Sequence, residues 1–487
     1  MKAEILKKYE NFSVEIKASI WFLIGAFFQK GIAMISTPIF TRIMNPEEYG
    51  EFNVFNSWLL IISIIVTCQI SAGVYTQGIV KFDSEKKEFS SSMQGLNLTL
   101  VLFWIIVYTL TKDFWNSLFQ LSTFQMYAIL IISWLLAAYN FWAIEQRVDL
   151  KYRQMLMMTV FVTVFQPLIC IILVMNSSNK VDARILGILF VDVVAYLYCF
   201  VSQFCAGRKF FIRQYWKYSL LLCIPLIPHY LSQIVMSSSD RIMIERMVGM
   251  KAAGIYSLAY SVSQIMTVFN TGLMQTIEPW LYKKIKKGEI EDLSGIAYKS
   301  IVGVAVVNVL LIIFSPEVVR IFAPSEYYDA IWVIPPVAMS VFVSFLYAFF
   351  AVFEFYYEKT KYITIATLVG AVINIGLNYL LIPHFGYYAA GYTTLISYML
   401  YVAMHYVFMN KICKENGIAK RPYDFRILLC ISFVFFVVSL GILFTYKNYA
   451  IRYTVLLIFI VGTFFLRKKI KEIFIAIIRA RERAEDR

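Results

Sequence analysis

The stretch IWFLIGAFFQKGIAMISTPIFTRIMNPEEYGEFNVF, residues 20–55, decides the fold class. Its first part, residues 20–40, is a hydrophobic run long enough to cross the roughly 30 Å hydrocarbon core of a bilayer as a helix. Lys30 lies at the middle of this run, where a charge costs at least about 2.5 kcal/mol on insertion scales. Such a charge normally faces the interior of a helix bundle or an aqueous cavity. The sequence therefore predicts a membrane helix with a functional lysine at its centre.

Composition places the rest of the chain in the same class. Hydrophobic residues make up 60% of the 487 residues and the mean hydropathy is +0.67, whereas soluble domains are roughly 45–50% apolar. Hydrophobic runs alternate with short polar turns, which predicts an all-α polytopic membrane protein of about 14 transmembrane helices. The predicted spans lie near residues 20–40, 54–76, 92–111, 123–144, 155–175, 184–204, 219–239, 253–277, 296–314, 330–352, 362–382, 387–408, 427–445 and 449–466.

An echo of the first stretch appears later in the chain. A shift of 204 positions places Arg42 on Arg246 and Phe52 on Tyr256, and six predicted spans precede the echo. An even number of spans per repeat keeps both repeats in one orientation. We therefore expect two six-helix lobes related by a pseudo-twofold axis, plus two extra C-terminal helices. The predicted domains are a cytoplasmic segment 1–18, an N-lobe 19–208, a C-lobe 209–410, spans 13 and 14 within 411–466, and a basic cytoplasmic tail 467–487.

The distribution of basic residues predicts the orientation. The net charge is +14, and the basic residues cluster in short loops between spans, which indicates membrane topology rather than a nucleic acid partner. With the N-terminus inside, the inner segments carry 34 Lys and Arg residues and the outer loops carry 10. We therefore expect both termini in the cytoplasm, with the basic tail against anionic lipid headgroups.

No motif in the sequence points to enzymatic chemistry. The seven cysteines are scattered, mostly within apolar runs, which argues against a disulfide framework or a zinc site. The sequence contains no Walker A loop and no HExxH, CxxC or GxSxG pattern. We expect a protein that is not an enzyme, that uses neither a metal nor a cofactor, and that is not driven by ATP.

Two polar helix faces are candidates for the wall of a wet cavity. In the first span, Lys30, Thr37 and Thr41 fall on one face at about 100° per residue. The alternative is a lysine that snorkels, but Lys30 lies roughly 15 Å from either end of the run, too far for its side chain. The eighth span has a longer stripe, for which hydrogen-bonded packing between helices is the alternative. Its members are Ser257, Ser261, Gln264, Thr271, Gln275 and Glu278.

Three titratable residues are candidates for binding a coupling ion or proton. Asp192 lies deep in the sixth span, and His229 and Asp240 lie in the seventh. Each has an alternative interpretation. Asp192 can pair with a basic residue, His229 can be a hydrogen-bonded packing residue, and Asp240 can belong to a solvated helix end beside Arg241.

Other polar residues and prolines are expected to have structural roles. Pro225 and Pro228 predict a kink or break in the seventh span. The carboxylates at the inner ends of the fourth and tenth spans, Glu145 and Glu354, are expected to be solvated. The polar residues of the eleventh span are expected to pack between helices; they are Thr367, Asn374 and Asn378.

Four stretches resemble the polysaccharide flippases of the Wzx type, within the multidrug/oligosaccharidyl-lipid/polysaccharide exporter (MOP) superfamily. They are TPIFTRIMNPEEYGEFNVF (37–55), SDRIMIERMVGMKAAGIYSLAYSV (239–262), EPWLYKKIKKG (278–288) and LNYLLIPHFGYYAAGYTTLISY (377–398). The resemblance covers most of the chain and agrees with the predicted fourteen spans.

The resemblance implies a flippase that moves undecaprenyl-pyrophosphate-linked oligosaccharide repeat units from the inner to the outer leaflet by alternating access, driven by an ion or proton gradient. It implies a place in the bacterial cytoplasmic membrane and in the assembly of capsule, O-antigen or exopolysaccharide. A polysaccharide polymerase and a chain-length regulator are the implied protein partners. The family also suggests a cationic lumen for the anionic headgroup, and the positions here that fit are Lys30, Arg42, Arg241 and Arg246.

Three other functions remain open at this point. A multidrug exporter-like antiporter of the same superfamily differs in its cargo, and fourteen spans rather than twelve argue against it. A membrane polysaccharide polymerase, which is an enzyme, is expected to carry a large outer loop, whereas no loop here exceeds roughly 20 residues. A scaffold for other envelope enzymes does not account for a lysine at mid-membrane.

Overall fold

The protein is an all-α polytopic membrane protein, as predicted. A computed structural model describes residues 14–72, 74–418 and 420–465, and every element in these ranges is a helix. Twelve helical segments in this part of the chain are long and apolar enough to cross a membrane. Two further helices, Tyr388–Glu415 and Tyr449–Phe465, coincide with the predicted twelfth and fourteenth spans. The predicted tail 467–487 and most of the segment 1–18 lie outside the described residues.

The chain divides into two compact units, which we call the first unit, ending at Ser238, and the second unit, beginning at Ser239. The division falls inside the seventh predicted span. The helices that lie in the first unit or begin there are α1 Val14–Ile43, α2 Pro46–Thr67, α3 Val74–Lys81, α4 Lys86–Leu110, α5 Lys112–Phe119, α6 Thr123–Val148, α7 Tyr152–Met175, α8 Lys180–Gly207, α9 Arg213–Cys223 and α10 Ile227–Met247.

The remaining helices belong wholly to the second unit, and several are joined by short 3-10 turns. They are α11 Met250–Ser263, α12 Ile265–Lys287, α13 Leu293–Ile313, α14 Ser315–Phe322, α15 Ile334–Tyr356, α16 Thr360–Phe385, α17 Tyr388–Glu415, α18 Phe425–Leu443 and α19 Tyr449–Phe465.

The motif NPEE explains why the first hydrophobic helix ends and the second begins. The Asn45 side chain accepts a 2.9 Å hydrogen bond from the Glu48 amide, and the Glu48 carboxylate accepts a 2.8 Å bond from the Asn45 amide. This reciprocal pair is a capping box, and Pro46 occupies the first helical position, where its missing N–H is not needed. The polar turn therefore starts α2 by its own hydrogen bonds.

Glycines allow α4 to approach its neighbours closely in the first unit. A Cβ atom on Gly95 would overlap the carbonyl oxygen of Phe210, and one on Gly207 would overlap the carbonyl oxygen of Lys87. A backbone oxygen this close to the Cα atom leaves room only for the hydrogen atom that glycine carries there. Glycine is therefore required at both positions by packing, although both lie within regular helix.

A polar network fastens α6 to α8 inside the first unit. The Gln203 amide donates to Glu145 and, over 3.1 Å, to the hydroxyl of Tyr75. The side-chain amide of Gln94 donates to the side-chain amide oxygen of Gln203 over 2.8 Å, and the Tyr75 hydroxyl donates to the Ser90 hydroxyl over 2.8 Å. Glu145 is half-buried and hydrogen-bonded. It lies near the end of α6, as expected, and is partly rather than fully solvated.

Two predicted spans are interrupted. A 3-10 turn at Ile224–Leu226 separates α9 from α10 in the seventh span, where Pro225 lacks the N–H that a continuous helix uses. The eighth span runs from Met250 to Lys287 and is broken at Gln264 into α11 and α12. It is therefore longer at its C-terminal end than the predicted 253–277.

The second unit is built around α15, the most enclosed of the candidate spans in the described part of the chain. This helix packs against α17 on one side and against α12, α13 and α18 on others. Its buried face is aromatic, with Phe342, Phe349 and Phe353 almost fully covered. The unit therefore has a wide apolar core, in which any polar side chain must find its partners locally.

Candidate functional site

Asp240 lies at the centre of a buried polar cluster in the second unit. Its side chain is inaccessible to solvent, and three neutral donors reach its two carboxylate oxygens. The Asn378 amide donates to Oδ1 over 2.6 Å, while the hydroxyls of Tyr256 and Thr394 donate to Oδ2 over 2.6 and 2.8 Å. These donors come from α16, α11 and α17, so one aspartate on α10 links three other helices.

A second layer of hydrogen bonds holds the donors in place. Asn378 also donates to Asn374 over 3.3 Å, Asn374 donates to Thr394 over 3.3 Å, and Ser239 donates to Asn374 over 3.4 Å. The Thr393 hydroxyl donates to the side-chain amide oxygen of Asn378. The cluster is thus continuous, and amide and hydroxyl oxygens surround the carboxylate.

This arrangement can bind a proton or a small cation. Hydrogen-bond donors stabilise the charged form of a buried carboxylate, and here the adjacent Arg241 adds an electrostatic attraction. Hard monovalent and divalent cations prefer carboxylate, amide and hydroxyl oxygens, which Asp240, Asn374, Asn378 and Thr394 provide. No group of three or more His, Cys, Asp or Glu side chains in the described residues is suited to a metal ion. The oxygen atoms around Asp240 are therefore chemically suited to a proton or a small cation.

Arg241 follows Asp240 directly, and its guanidinium carbon lies 4.2 Å from the centre of the Tyr260 ring. This distance is typical of a cation–π contact. Arg42 donates to the carbonyl oxygen of Pro38 in its own helix over 2.7 Å, and Arg246 is exposed near the end of α10. Of the predicted headgroup ligands, Arg42 therefore lies in the first unit, whereas Arg241 and Arg246 lie in the second.

Lys30 is exposed on α1 and has no ion-pair partner among the residues that the structure describes. The glycine next to it, Gly31, also faces open space. The polar face predicted for this helix is not uniform, however. Thr37 is half-buried and donates to the carbonyl oxygen of Ala33 over 2.9 Å, and Thr41 is buried. Because Lys30 is exposed on a membrane-length helix, it remains a candidate ligand for an anion.

The polar stripe of the eighth span changes character at Gln264. In α11, Ser257 is buried, as expected of a packing residue, and Gln264 is half-buried beside Tyr260. In α12, Thr271 and Gln275 are exposed and Glu278 is half-buried. Only the second half of the stripe is therefore available to a solute.

Asp192 and His229 both belong to the first unit. Asp192 is buried, and its Oδ1 accepts a 3.0 Å hydrogen bond from Gln166 on α7. His229 is half-buried with its ring beside Tyr230. Neither residue has the ring of oxygen ligands that surrounds Asp240. Of the three predicted coupling residues, Asp240 has the arrangement best suited to cation binding.

Sequence reasoning missed most of the partners of Asp240. Asn374 and Asn378 were expected to be packing residues, and the hydroxyls of Tyr256 and Thr394 were not singled out. A usable signal was the spacing of the two asparagines, which at i and i+4 fall on one helix face. The expectation that Glu354 is solvated is also wrong: it is fully buried against His405.

Residues 16–284, more than half of the chain, match the family described as "Polysaccharide biosynthesis protein", and residues 225–380 match the MatE family. A relative from Haemophilus influenzae, described as an "Uncharacterized membrane protein", is 22% identical over 382 residues; the match covers 74% of this chain and 89% of that protein. The family match therefore rests on a large part of the sequence.

Solved structures share the fold at low sequence identity. The lipid II flippase MurJ in an inward closed conformation has a TM-score of 0.71 and 13% identity, over 93% of this chain and 100% of that chain. An inward-facing multidrug resistance MATE family transporter of the MOP superfamily has a TM-score of 0.63 and 13% identity, over 80% and 96%. The chain therefore has the fold of these transporters.

Proposed function

The chain belongs to the family of polysaccharide biosynthesis proteins, and we propose that it is a flippase that moves a lipid-linked oligosaccharide from the cytoplasmic to the outer leaflet of the bacterial cytoplasmic membrane. Its broader class is that of membrane transporters of the MOP superfamily. The observation that carries the narrower proposal is the family match over residues 16–284. The likeness to a lipid II flippase supports a cargo carried on a lipid.

The anionic headgroup of such a cargo is the proposed ligand of Lys30. A pyrophosphate needs cationic or N–H donors, and Lys30 is an exposed cation with no ion-pair partner in the described part of the chain. Arg42, Arg241 and Arg246 are the further candidates. The saccharide is assigned to the open polar face of α12 that includes Thr271, Gln275 and Glu278.

The proposed coupling site is Asp240. Binding of a proton or a small cation neutralises the buried carboxylate and changes its hydrogen bonds with the donors on α11, α16 and α17. A ligand at one aspartate therefore alters contacts between four helices of the second unit. Asp192, which accepts one hydrogen bond from Gln166, and His229, whose ring lies beside Tyr230, are the other candidates for this role.

A multidrug exporter is the alternative function. The match of residues 225–380 to the MatE family and the likeness to MATE transporters favour it. Such a protein exports soluble amphiphiles and does not need a lipid-linked cargo. A polymerase activity has less support, since the described part of the chain has no extended loop and no metal-binding group.

The flippase proposal includes an orientation and a setting. Both termini are placed in the cytoplasm because the inner segments carry most of the basic residues. The protein would perform no covalent chemistry. Its cargo would be handed to a polymerase and a chain-length regulator for assembly into capsule, O-antigen or exopolysaccharide.

The test is transbilayer movement in proteoliposomes that contain undecaprenyl-pyrophosphate-linked oligosaccharide. We expect the wild-type protein to move the lipid and empty liposomes to leave it in place. Export of a cationic dye from the same vesicles is measured in parallel. Movement of the dye but not of the lipid would establish the multidrug exporter and overturn the flippase.

A further inference from the structure

Glu354 and His405 form a buried pair in the core of the second unit. Oε1 of Glu354 lies 2.7 Å from Nδ1 of His405, and neither side chain is accessible to solvent. The two residues join α15 to α17 across 51 positions of sequence. A bond of this length requires one proton between the two atoms.

The remaining polar atoms of the pair have no partner. Oε2 of Glu354 and Nε2 of His405 are buried and make no hydrogen bond within the described residues. The rings of Tyr347 and Tyr401 lie 4.6 and 4.4 Å from the imidazole, and Phe408 closes another side at 6.4 Å. The pair is thus enclosed by aromatic rings, where an uncompensated charge is strongly disfavoured.

The number of bound protons sets the total charge of the pair, and the apolar environment favours one total charge over the other. With the ring proton on Nδ1 and the carboxylate ionised, the pair carries a charge of −1. One added proton either enters Nε2 or, after transfer across the hydrogen bond, leaves a carboxylic acid that donates to Nδ1 while Nε2 keeps its own proton. Both forms have a total charge of zero. A low-dielectric core favours them over the charged alternatives.

The fold does not require a carboxylate at position 354. In the first unit, α6 ends with Leu150 in the left-handed conformation (φ 56°) and with the Lys151 amide 2.8 Å from the carbonyl oxygen of Gln146. In the second unit, α15 ends in the same way, with Glu358 at φ 55° and the Lys359 amide 2.8 Å from the carbonyl oxygen of Glu354. Gln146 and Glu354 therefore hold the same position relative to the helix end.

The neutral amide of Gln146 is buried at that position. A helix with this ending and a buried side chain at this position therefore forms without a titratable group there. The acid in the second unit is an addition to the fold rather than a condition for it, and it faces the only histidine on α17.

We propose that Glu354 and His405 form a proton-binding site in the second unit, separate from the Asp240 cluster. Its ligand is a single proton shared between the carboxylate and the imidazole. The consequence for transport rests on the proposed function: loading and release of this proton make the transport rate depend on pH, in addition to the dependence that the proton or cation at Asp240 gives.

Other titratable groups lie on the two helices of the pair and on or next to the helices that pack against them. Tyr347 on α15 interacts with Glu278 on α12, and Tyr401 on α17 interacts with Tyr398. The other groups around this region are Tyr362 on α16 with Lys361 and Lys411 near its ring, Tyr423 against Phe353, Tyr298 on α13 beside Asp424, Arg426 on α18, and the surface pair Lys359–Glu415. Most of these are tyrosines or exposed charges, which do not change their charge in the range in which histidine does.

The site is tested directly by nuclear magnetic resonance of the full chain in lipid nanodiscs, labelled with nitrogen-15 at histidine. The chain has 3 histidines, so each resonance is assigned by one substitution. We expect the His405 nitrogens to report one protonation step of the pair. We expect Glu354→Gln to abolish that step, because the shared proton loses its carboxylate partner. Glu145→Gln, the same exchange at a half-buried acid of the first unit next to the equivalent position, is expected to leave the step unchanged.

The transport consequence is tested with the same variants in proteoliposomes, at equal pH on both sides of the membrane. We expect Glu354→Gln and His405→Gln to flip the lipid with a rate that varies less with pH than the wild-type rate does, while still responding to the gradient of the coupling ion. Two substitutions on opposite partners guard against failure of either one to fold.

The outcomes separate the two proposals. A His405 step that survives in Glu354→Gln, or no step at all in the wild type, would overturn the proton site whatever the transport result. A step that Glu354→Gln abolishes, in a protein that moves no lipid-linked oligosaccharide, would uphold the proton site and reject the flippase. Unchanged pH dependence of transport in both variants would also refute the proposed role.

Discussion

The side-chain amide of Asn378 donates a 2.6 Å hydrogen bond to Oδ1 of Asp240, although 138 residues separate them in sequence. Both side chains are fully buried. The contact ties the second half of the seventh span to the eleventh. The hydrogen-bond donors of Asp240 are neutral, and the neighbouring cation Arg241 interacts with it electrostatically.

Asp240→Asn is expected to remove the dependence of transport on a cation gradient. The substitution keeps the shape of the side chain but removes its charge, so a bound cation gains little. We expect the gradient-driven rate to fall by about 5- to 150-fold, the range that a coupling free energy of 1–3 kcal/mol gives. Flipping with and without a gradient is the measurement, and Asp83→Asn in an exposed turn is the control. A rate equal to wild type would remove Asp240 from coupling.

Asn378→Leu is expected to lower the free energy of unfolding by about 1–3 kcal/mol, because the buried Asp240 carboxylate loses a donor and Thr393 loses an acceptor. The loss should be smaller when the change is made in an Asp240→Asn background, since an amide is less costly to leave unpaired than a carboxylate. Denaturation of the four proteins in detergent gives the coupling energy. Strictly additive effects would contradict the direct bond.

Lys30→Ala is expected to abolish polymer export without lowering the amount of protein in the membrane. The side chain makes no ion pair within the described residues, so its loss removes a ligand for the cargo rather than a structural contact. Lys30→Arg should keep partial activity because the positive charge remains. Gln29→Ala, an exposed change on the adjacent helix position, is the control. Normal export by Lys30→Ala would take this lysine out of the mechanism.

Reporter fusions test the orientation. A reporter fused after Glu51 is expected to read outside, and one fused after Lys86 is expected to read inside, because the loop that contains Lys86 is among the basic ones. A pair of reporters active on opposite sides, one for each compartment, gives two independent readings at each position. The reverse pattern at both positions would overturn the proposed topology.

Gly95→Ala is expected to destabilise the first unit by about 1–3 kcal/mol, because a methyl group would overlap the carbonyl oxygen of Phe210. Gly303→Ala is the matched control: it also lies within a helix, but nothing stands within 4 Å of the position a Cβ would take. Removing a helical glycine without a clash should be neutral or stabilising by up to about 1 kcal/mol. Thermal unfolding of the purified proteins distinguishes the two.

The approximate positions of the spans follow from the sequence because hydrophobic length largely specifies a membrane span. Fourteen spans were predicted, and twelve helical segments in the described residues are long and apolar enough to cross a membrane. The NPEE turn and the break near Pro225 follow from local hydrogen-bonding rules. The Asp240 cluster could not be assembled in this way, since it depends on which faces of α10, α11, α16 and α17 meet. For the same reason Glu354, which lies near a helix end, was expected to be solvated although α17 covers it. Position along a helix is read from sequence, but the direction in which a side chain points depends on the partner helix.

The shared ending of α6 and α15 has a consequence at the level of the gene. The codons for glutamine, CAA and CAG, and those for glutamate, GAA and GAG, differ only in the first base. A single nucleotide exchange therefore separates the neutral side chain at position 146 from the acidic one at position 354. Point mutation is enough to place or remove the acid at this position in one half of the chain while the helix terminus that holds it is kept. Homologues with glutamine at the second position should accordingly be viable natural variants that have lost only the response to protons.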